Sequence, residues 1–426
     1  MNEAAGRTKT NQLVLSVFWF AWEVHWAALL GATLQSEIAR FVPETFFGRA
    51  TAILGGVGAL LSIVVQFGAG RASDVVRRRM PFIIVGTLLD IVALYAFAFA
   101  PSFGAVVASV AAVQIALNIA GGPYQALIPD RVQKSEQGRA SAFMGLLRLA
   151  GTAGGLLLAK LVVRQPGPEV TQAMYGSSLL TLVTLLSITL LVALAITVFG
   201  VRERPADVPP PTPITAWWES APSFIALIVS RTFVMAGLYL VLPFLGFYLR
   251  FALGVRQYQS TSLDILLLMV GCSLIGTVPA GFVGDRISKK SIIYIALFML
   301  TLGALALVFT RSLGPIYAVA VFIGLGWGAF YSVDWALACN LLPPGRAGAL
   351  MALWNLGSSA PQVAAPVIGG LLVDYVGAGP AGLSAGYRAV FGLIVVCVVV
   401  GAIALAFVRE ARAGMDKRTQ VSRLEM

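Results

Sequence analysis

The 426-residue chain reads as an all-α membrane protein of twelve transmembrane helices, arranged as two pseudo-symmetric six-helix halves. Three observations lead there. The composition is 58% hydrophobic and only 12% charged, with a mean hydropathy of +0.86, whereas a soluble domain carries about 25% charged residues. A water-soluble core of this size would leave too much apolar surface uncovered. Apolar runs near the roughly 20 residues needed to span a bilayer recur twelve times. A short motif at the end of the second run also returns 211 residues later, about half the chain.

The first half offers spans at 13–34, 48–69, 82–100, 104–127, 140–162 and 176–199. The second offers 222–249, 262–283, 291–309, 314–339, 347–373 and 387–408. The first run is read as a span and not a cleaved leader, because it is longer than a secretory h-region and contains Glu23 and His25. Between the halves, residues 200–221 hold Pro205, Pro209, Pro210, Pro211 and Pro213, a composition that makes a semi-rigid linker and not a span. The expected organisation is therefore a six-helix half at 1–199, a linker at 200–221, a second half at 222–408 and a tail at 409–426.

Charge sets the expected orientation. Of the 30 Lys and Arg, 20 fall on the side of the two termini and 8 on the other, with Arg148 and Arg231 inside spans. That bias places both termini in the cytoplasm and the chain in the cytoplasmic (inner) membrane. The net charge of +11 is thus a topology signal, which argues against a nucleic-acid partner. Cys272, Cys339 and Cys397 all lie in apolar runs, and a lone histidine gives no metal-ligating cluster. No cofactor is expected. No nucleophile–base set marks an enzyme.

The halves echo each other. Gly70-Arg-Ala-Ser-Asp74 with Arg77-Arg78-Arg79 returns as Gly281-Phe-Val-Gly-Asp285 with Arg286 and Lys289-Lys290, and Gly138-Arg139-Ala140 returns as Gly345-Arg346-Ala347. Duplicated six-helix units are one way to build an alternating-access carrier. Gly-x-x-x-Asp followed by basic residues, after the second and eighth spans, resembles the signature of the major facilitator superfamily. That resemblance implies a gating role for Asp74, Arg78, Asp285 and Arg286.

A finer likeness follows from particular stretches. Ser73-Asp74 through Arg77-Arg78-Arg79-Met80-Pro81-Phe82-Ile83 is similar to sucrose/proton symporters and their bacterial glycoside-pentoside-hexuronide-like relatives. So are Gly122 to Asp130, Asp334-Trp335-Ala336-Leu337, and Asn355 with Pro361-Gln362. The resemblance puts Gln114 where the plant symporters carry a proton-binding Asp, and Gln125 where they carry an Arg. Proton coupling through that fourth-helix site does not follow.

The residues themselves propose other sites. Glu23 lies about 16 Å into its span, where a charge must face the bundle interior and find a partner. Trp19 and Trp26 share its helix face, and aromatic faces beside a carboxylate suit a sugar ring. Arg148, inside the fifth span, is a candidate partner for Glu23, because the first and fifth helices neighbour each other in the resembled fold; equally, it suits an anionic group of the substrate. Asn118, Tyr124 and Gln125 are polar groups expected to line the cavity, and Tyr331 and Asp334 form a matching stripe in the tenth span. His25 faces another side and is read as a satisfied interior histidine, with a proton-handling role as the alternative. Asp90 is left without an account. The reading that results is a monomeric secondary carrier of a small polar solute, a sugar or glycoside, driven by a proton or sodium gradient. The alternative is a proton-coupled drug or metabolite exporter, although Ala150-Gly151-Thr152-Ala153-Gly154-Gly155 lacks the proline common in such exporters.

Overall fold

A computed structural model of the chain describes residues 11–132, 137–164, 170–201, 203, 222–284, 287–341 and 347–409. Asp285, Arg286, most of the linker and most of the tail lie outside these residues, as does the side chain of Asn355. The described residues form twelve helices long and apolar enough to cross a membrane. They are α1 Gln12–Phe41, α2 Phe47–Val76, α3 Met80–Ala98, α4 Phe103–Arg131, α5 Gln137–Val162 and α6 Gln172–Gly200. The second six are α7 Pro222–Leu253, α8 Tyr258–Gly284, α9 Lys289–Phe309, α10 Gly314–Leu341, α11 Ala347–Gly377 and α12 Gly382–Ala406.

Local chemistry sets several ends. Asn11 caps α1 by accepting from the Leu13 amide at 3.0 Å. Midway along, Leu29–Thr33 form a π-helical turn, where Thr33 Oγ1 donates to the Ala28 carbonyl at 2.7 Å. The helix then continues to Phe41, seven residues past the expected end. The α2 helix also runs seven residues further than expected, so Asp74 sits in its last turn and not in a loop. Arg77 ends it in the left-handed region at φ 56°, and its amide donates to the Asp74 carbonyl at 3.3 Å.

The two halves are built alike. Strong packing of α1 with α5, α1 with α6, α2 with α4, α3 with α4 and α3 with α6 recurs six helices on, as α7 with α11, α7 with α12, α8 with α10, α9 with α10 and α9 with α12. Between the halves, α2 packs on α11 and α5 on α8, a pair of contacts that the same two-fold exchanges. Small residues allow the closest approaches. A Cβ on Gly151 or Gly155 would strike the α1 backbone at Phe20 and Val24, and one on Gly370 would strike the Gly48 carbonyl.

The face opposite the linker is shut. Lys160 of α5 pairs with Asp264 of α8, Arg250 of α7 with Glu44, and Arg49 of α2 with Asp374 of α11 at 2.9 Å. Buried Gln35 of α1 donates to the Leu242 and Pro243 carbonyls of α7 at 2.9 and 3.3 Å, and Gln259 of α8 donates to Ser36 at 3.2 Å. Each half-exposed ion pair is worth about 0.2–1 kcal/mol. Neutralising Lys160, Arg49 and Arg250 together should therefore shift the population toward a state open on this face, roughly tenfold if the three sum to ~1.4 kcal/mol. Spin-label distances between the far ends of α5 and α8 measure this, and an unchanged distribution would reject the lock.

Candidate functional site

Two ion pairs meet at mid-depth, one from each half. In the first, Arg148 of α5 donates from Nε and Nη2 to Glu23 Oε1 of α1, both at 2.7 Å. The guanidinium also stacks over the Trp19 ring at 4.7 Å. Thr152 Oγ1 donates to the Arg148 carbonyl at 3.0 Å and lies 3.5 Å from Glu23 Oε2. This arrangement follows from the close approach at Gly151, which brings the α5 backbone against Phe20 and Glu23 Cβ. By helix rise both residues lie about 16 Å from the linker-side ends of their helices. Arg148 nonetheless keeps 31% of its side-chain surface accessible and Glu23 17%. Gly145, three residues before Arg148 on the same helix face, has open space around it.

In the second pair, Arg231 of α7 engages Asp334 of α10, donates from Nε to Ser358 Oγ of α11 at 2.9 Å, and stacks on Trp354 at 4.4 Å. Its guanidinium also lies 5.7 Å from the Tyr331 ring centroid. This pair is sealed, with Arg231 7% and Asp334 1% exposed. Tyr239 and Tyr331 bridge the centre: Tyr239 lies within electrostatic reach of Arg148, Arg231, Glu23 and Tyr331. The four charges cancel across this centre. Arg231 lies 208 residues after Glu23, close to the repeat offset, so related places in α1 and α7 carry opposite charges.

Other expected residues sit elsewhere. Tyr124 does not offer its hydroxyl to a cavity. It is buried and donates to the Leu15 carbonyl at 2.5 Å, its ring packed on Phe18 and Trp19. Asn118 is buried too, and donates within α4 to the Gln114 carbonyl at 2.8 Å and to Gln114 Oε1 at 3.1 Å. The Gln114 amide lies against Gly58 of α2. Gln125 is half-buried. The Trp26 ring meets His25 edge-on at 5.0 Å. The partner of Asp74 is buried Arg79 at 2.5 Å, while Arg78 is exposed. Arg79 Nη1 also donates to Ser73 Oγ at 2.5 Å, and Glu203 accepts from the Arg79 and Met80 amides at the start of α3. Sequence reasoning missed Arg231, Trp354, Ser358 and Tyr239. The requirement that an in-span charge find a partner pointed at Arg231 alone among them.

Duplicated six-helix halves, tied together on one face, enclose paired charges and aromatic rings. The model of the Major Facilitator Superfamily matches residues 10–360 and 227–423. The chain belongs to that superfamily. It is 29% identical over 98 residues to the uncharacterized MFS-type transporter Rv1250 of Mycobacterium tuberculosis, covering 23% of this chain and 17% of that protein. It is 24% identical over 208 residues to the MFS-type transporter ppzB of Metarhizium rileyi, covering 48% of this chain and 40% of that protein. The matched stretches thus span less than half the length of either relative. Among solved structures, a bacterial homolog of the human lysosomal transporter Spinster superposes with a TM-score of 0.71 at 15% identity, covering 93% of this chain and 95% of that one. The nucleoside transporter NupG does so with a TM-score of 0.66 at 14% identity, covering 94% and 100%.

Proposed function

We propose that the chain is a monomeric secondary active transporter of the cytoplasmic membrane, carrying a small polar solute, a sugar or glycoside, on a proton or sodium gradient. One observation carries this reading: a partly exposed ion pair, Glu23–Arg148, faces a buried one, Arg231–Asp334, across a centre walled by Trp19, Trp354, Tyr239 and Tyr331. Aromatic faces accept the C–H faces of a sugar ring, and the charged and phenolic groups supply donors and acceptors for its hydroxyls. A solute hydroxyl competing for Arg148 would loosen Glu23, and a cation bound at Glu23 would restore neutrality. The motif likeness to bacterial relatives of sucrose/proton symporters supports the same substrate class, and the charge bias supports cytoplasmic termini.

Reconstitution into proteoliposomes tests the reading. A radiolabelled panel of sugars, glycosides and nucleosides would be offered under imposed pH and sodium gradients. Accumulation of a sugar or glycoside against its gradient is the expected result. Accumulation only of nucleosides, or gradient-driven extrusion of hydrophobic cations, would replace the substrate class.

The reading includes a gate on the linker face. In the state described here Asp74 is held by Arg79 within its own half; on closure it would serve the partner half, as Asp285 and Arg286 would from the other side. Asp74→Asn should then enrich the state open to the linker face and slow transport, with a smaller effect on substrate affinity. Cysteine-accessibility labelling of both faces checks this, and unchanged labelling with full transport would remove the assignment.

A further inference from the structure

One pair of titratable groups takes no part in the centre. His25 of α1 and Asp90 of α3 are both 0% exposed, with Nε2 3.6 Å from Oδ2. None of their four polar side-chain atoms has a hydrogen-bond partner among the described residues. Four unpartnered buried polar atoms near the middle of a membrane are costly. Nothing nearby supplies a compensating charge. The α3 sequence has no other charged residue, α6 has none at all, and α4 has none before Asp130. On α5, Arg148 is committed to Glu23, which lies two residues from His25 and thus about 200° around α1. The polar side chains of the neighbouring helices are also spent: Tyr95 on Thr184, Asn118 on Gln114, Thr87 on the Ile83 carbonyl and Ser187 on the Val183 carbonyl.

We propose that His25 and Asp90 form a one-proton binding site, separate from Glu23–Arg148, whose proton is exchanged as α1 moves between its two states. The ionised carboxylate beside a neutral imidazole leaves one uncompensated negative charge in a dry layer. One proton held between Oδ2 and Nε2 makes the pair neutral and supplies the hydrogen bond that 3.6 Å leaves unmade. Release returns the proton to water and the charge to the pair. Because Glu23 and His25 sit on opposite faces of one helix, a tilt of α1 that follows the loss of Glu23–Arg148 also displaces His25 from Asp90. The site therefore extends the coupling described above, but it needs no knowledge of the solute.

Infrared spectroscopy of the purified full chain in detergent tests it with the proton itself as the probe. At neutral pH the wild type should show the carbonyl band of a protonated carboxylic acid. Asp90→Asn should abolish that band, Glu23→Gln should keep it, and His25→Gln should shift it by changing the acceptor. Transfer to D2O should move the band as the site exchanges. Should Asp90→Asn not fold, Asp90→Glu must shift the band without removing it. A band untouched by either Asp90 variant, its absence from the wild type, or failure to exchange in D2O would each overturn the site. A band lost in Glu23→Gln and kept in Asp90→Asn would assign it to the central carboxylate and overturn this site while leaving the transport reading intact.

Discussion

Replacing Arg231 by Ala should destabilise the protein by about 3–5 kcal/mol, because it strands Asp334 as an uncompensated buried charge. Asp334→Asn should cost less than Arg231→Ala, since Arg231 would keep Ser358 and the faces of Trp354 and Tyr331. Removing both charges with apolar residues of similar volume should recover most of the loss. A pair this dry, with 7% and 1% exposure, meets the conditions under which an ion pair and an apolar substitute come out nearly even. Thermal unfolding of the three variants in detergent measures the effect. If the double variant is as unstable as Arg231→Ala, packing and not charge pairing is what Arg231 supplies.

Glu23→Gln should abolish gradient-driven accumulation while leaving substrate exchange measurable, since the amide keeps the shape of the site and loses the group that can take up a cation. Arg148→Ala should fall short in both assays, and adding Glu23→Gln should restore part of the exchange by removing the stranded carboxylate. The contrast with the Arg231–Asp334 pair is one of access. With 31% and 17% exposure, Arg148 and Glu23 can trade partners with solute and ions, whereas the sealed pair cannot without a change of state. Normal accumulation by Glu23→Gln under an imposed gradient would move the coupling site elsewhere.

Much of the architecture was legible because a bilayer imposes length, apolarity and charge sidedness on every span. The pairing of Glu23 with Arg148 was legible for the related reason that a mid-membrane charge needs a partner. Other features depend on side-chain direction, which periodicity does not report. Tyr124 sits on a polar-looking stretch of α4, yet its hydroxyl is spent on the Leu15 carbonyl of α1. The resemblance names Asp74 and Arg78 as gating residues, but α2 continues through Val76 and turns left-handed at Arg77, and it is Arg79 that comes back against Asp74. In the sequence Lys160, Arg49 and Arg250 count only toward the charge on the side away from the termini, although each sits in or at the end of a helix and ties one half to the other. The π turn in α1 has no residue signature of its own, and it lies just before Gln35, which donates to the α7 carbonyls.

Each half balances its own mid-membrane charges. Glu23, Arg148, His25 and Asp90 all belong to the first six helices, and Arg231 and Asp334 to the last six. During synthesis the first half can therefore leave the ribosome and settle in the bilayer with no interior charge waiting on helices not yet made. The exceptions, Lys160 with Asp264, Arg250 with Glu44 and Arg49 with Asp374, lie toward the far face and keep part of their surface exposed, so water can serve until the second half arrives. Two halves expressed as separate polypeptides should for the same reason each insert unaided, and then find each other through those edge charges. A gene duplication that began with a self-sufficient unit needed no new interior partner to yield a working pair.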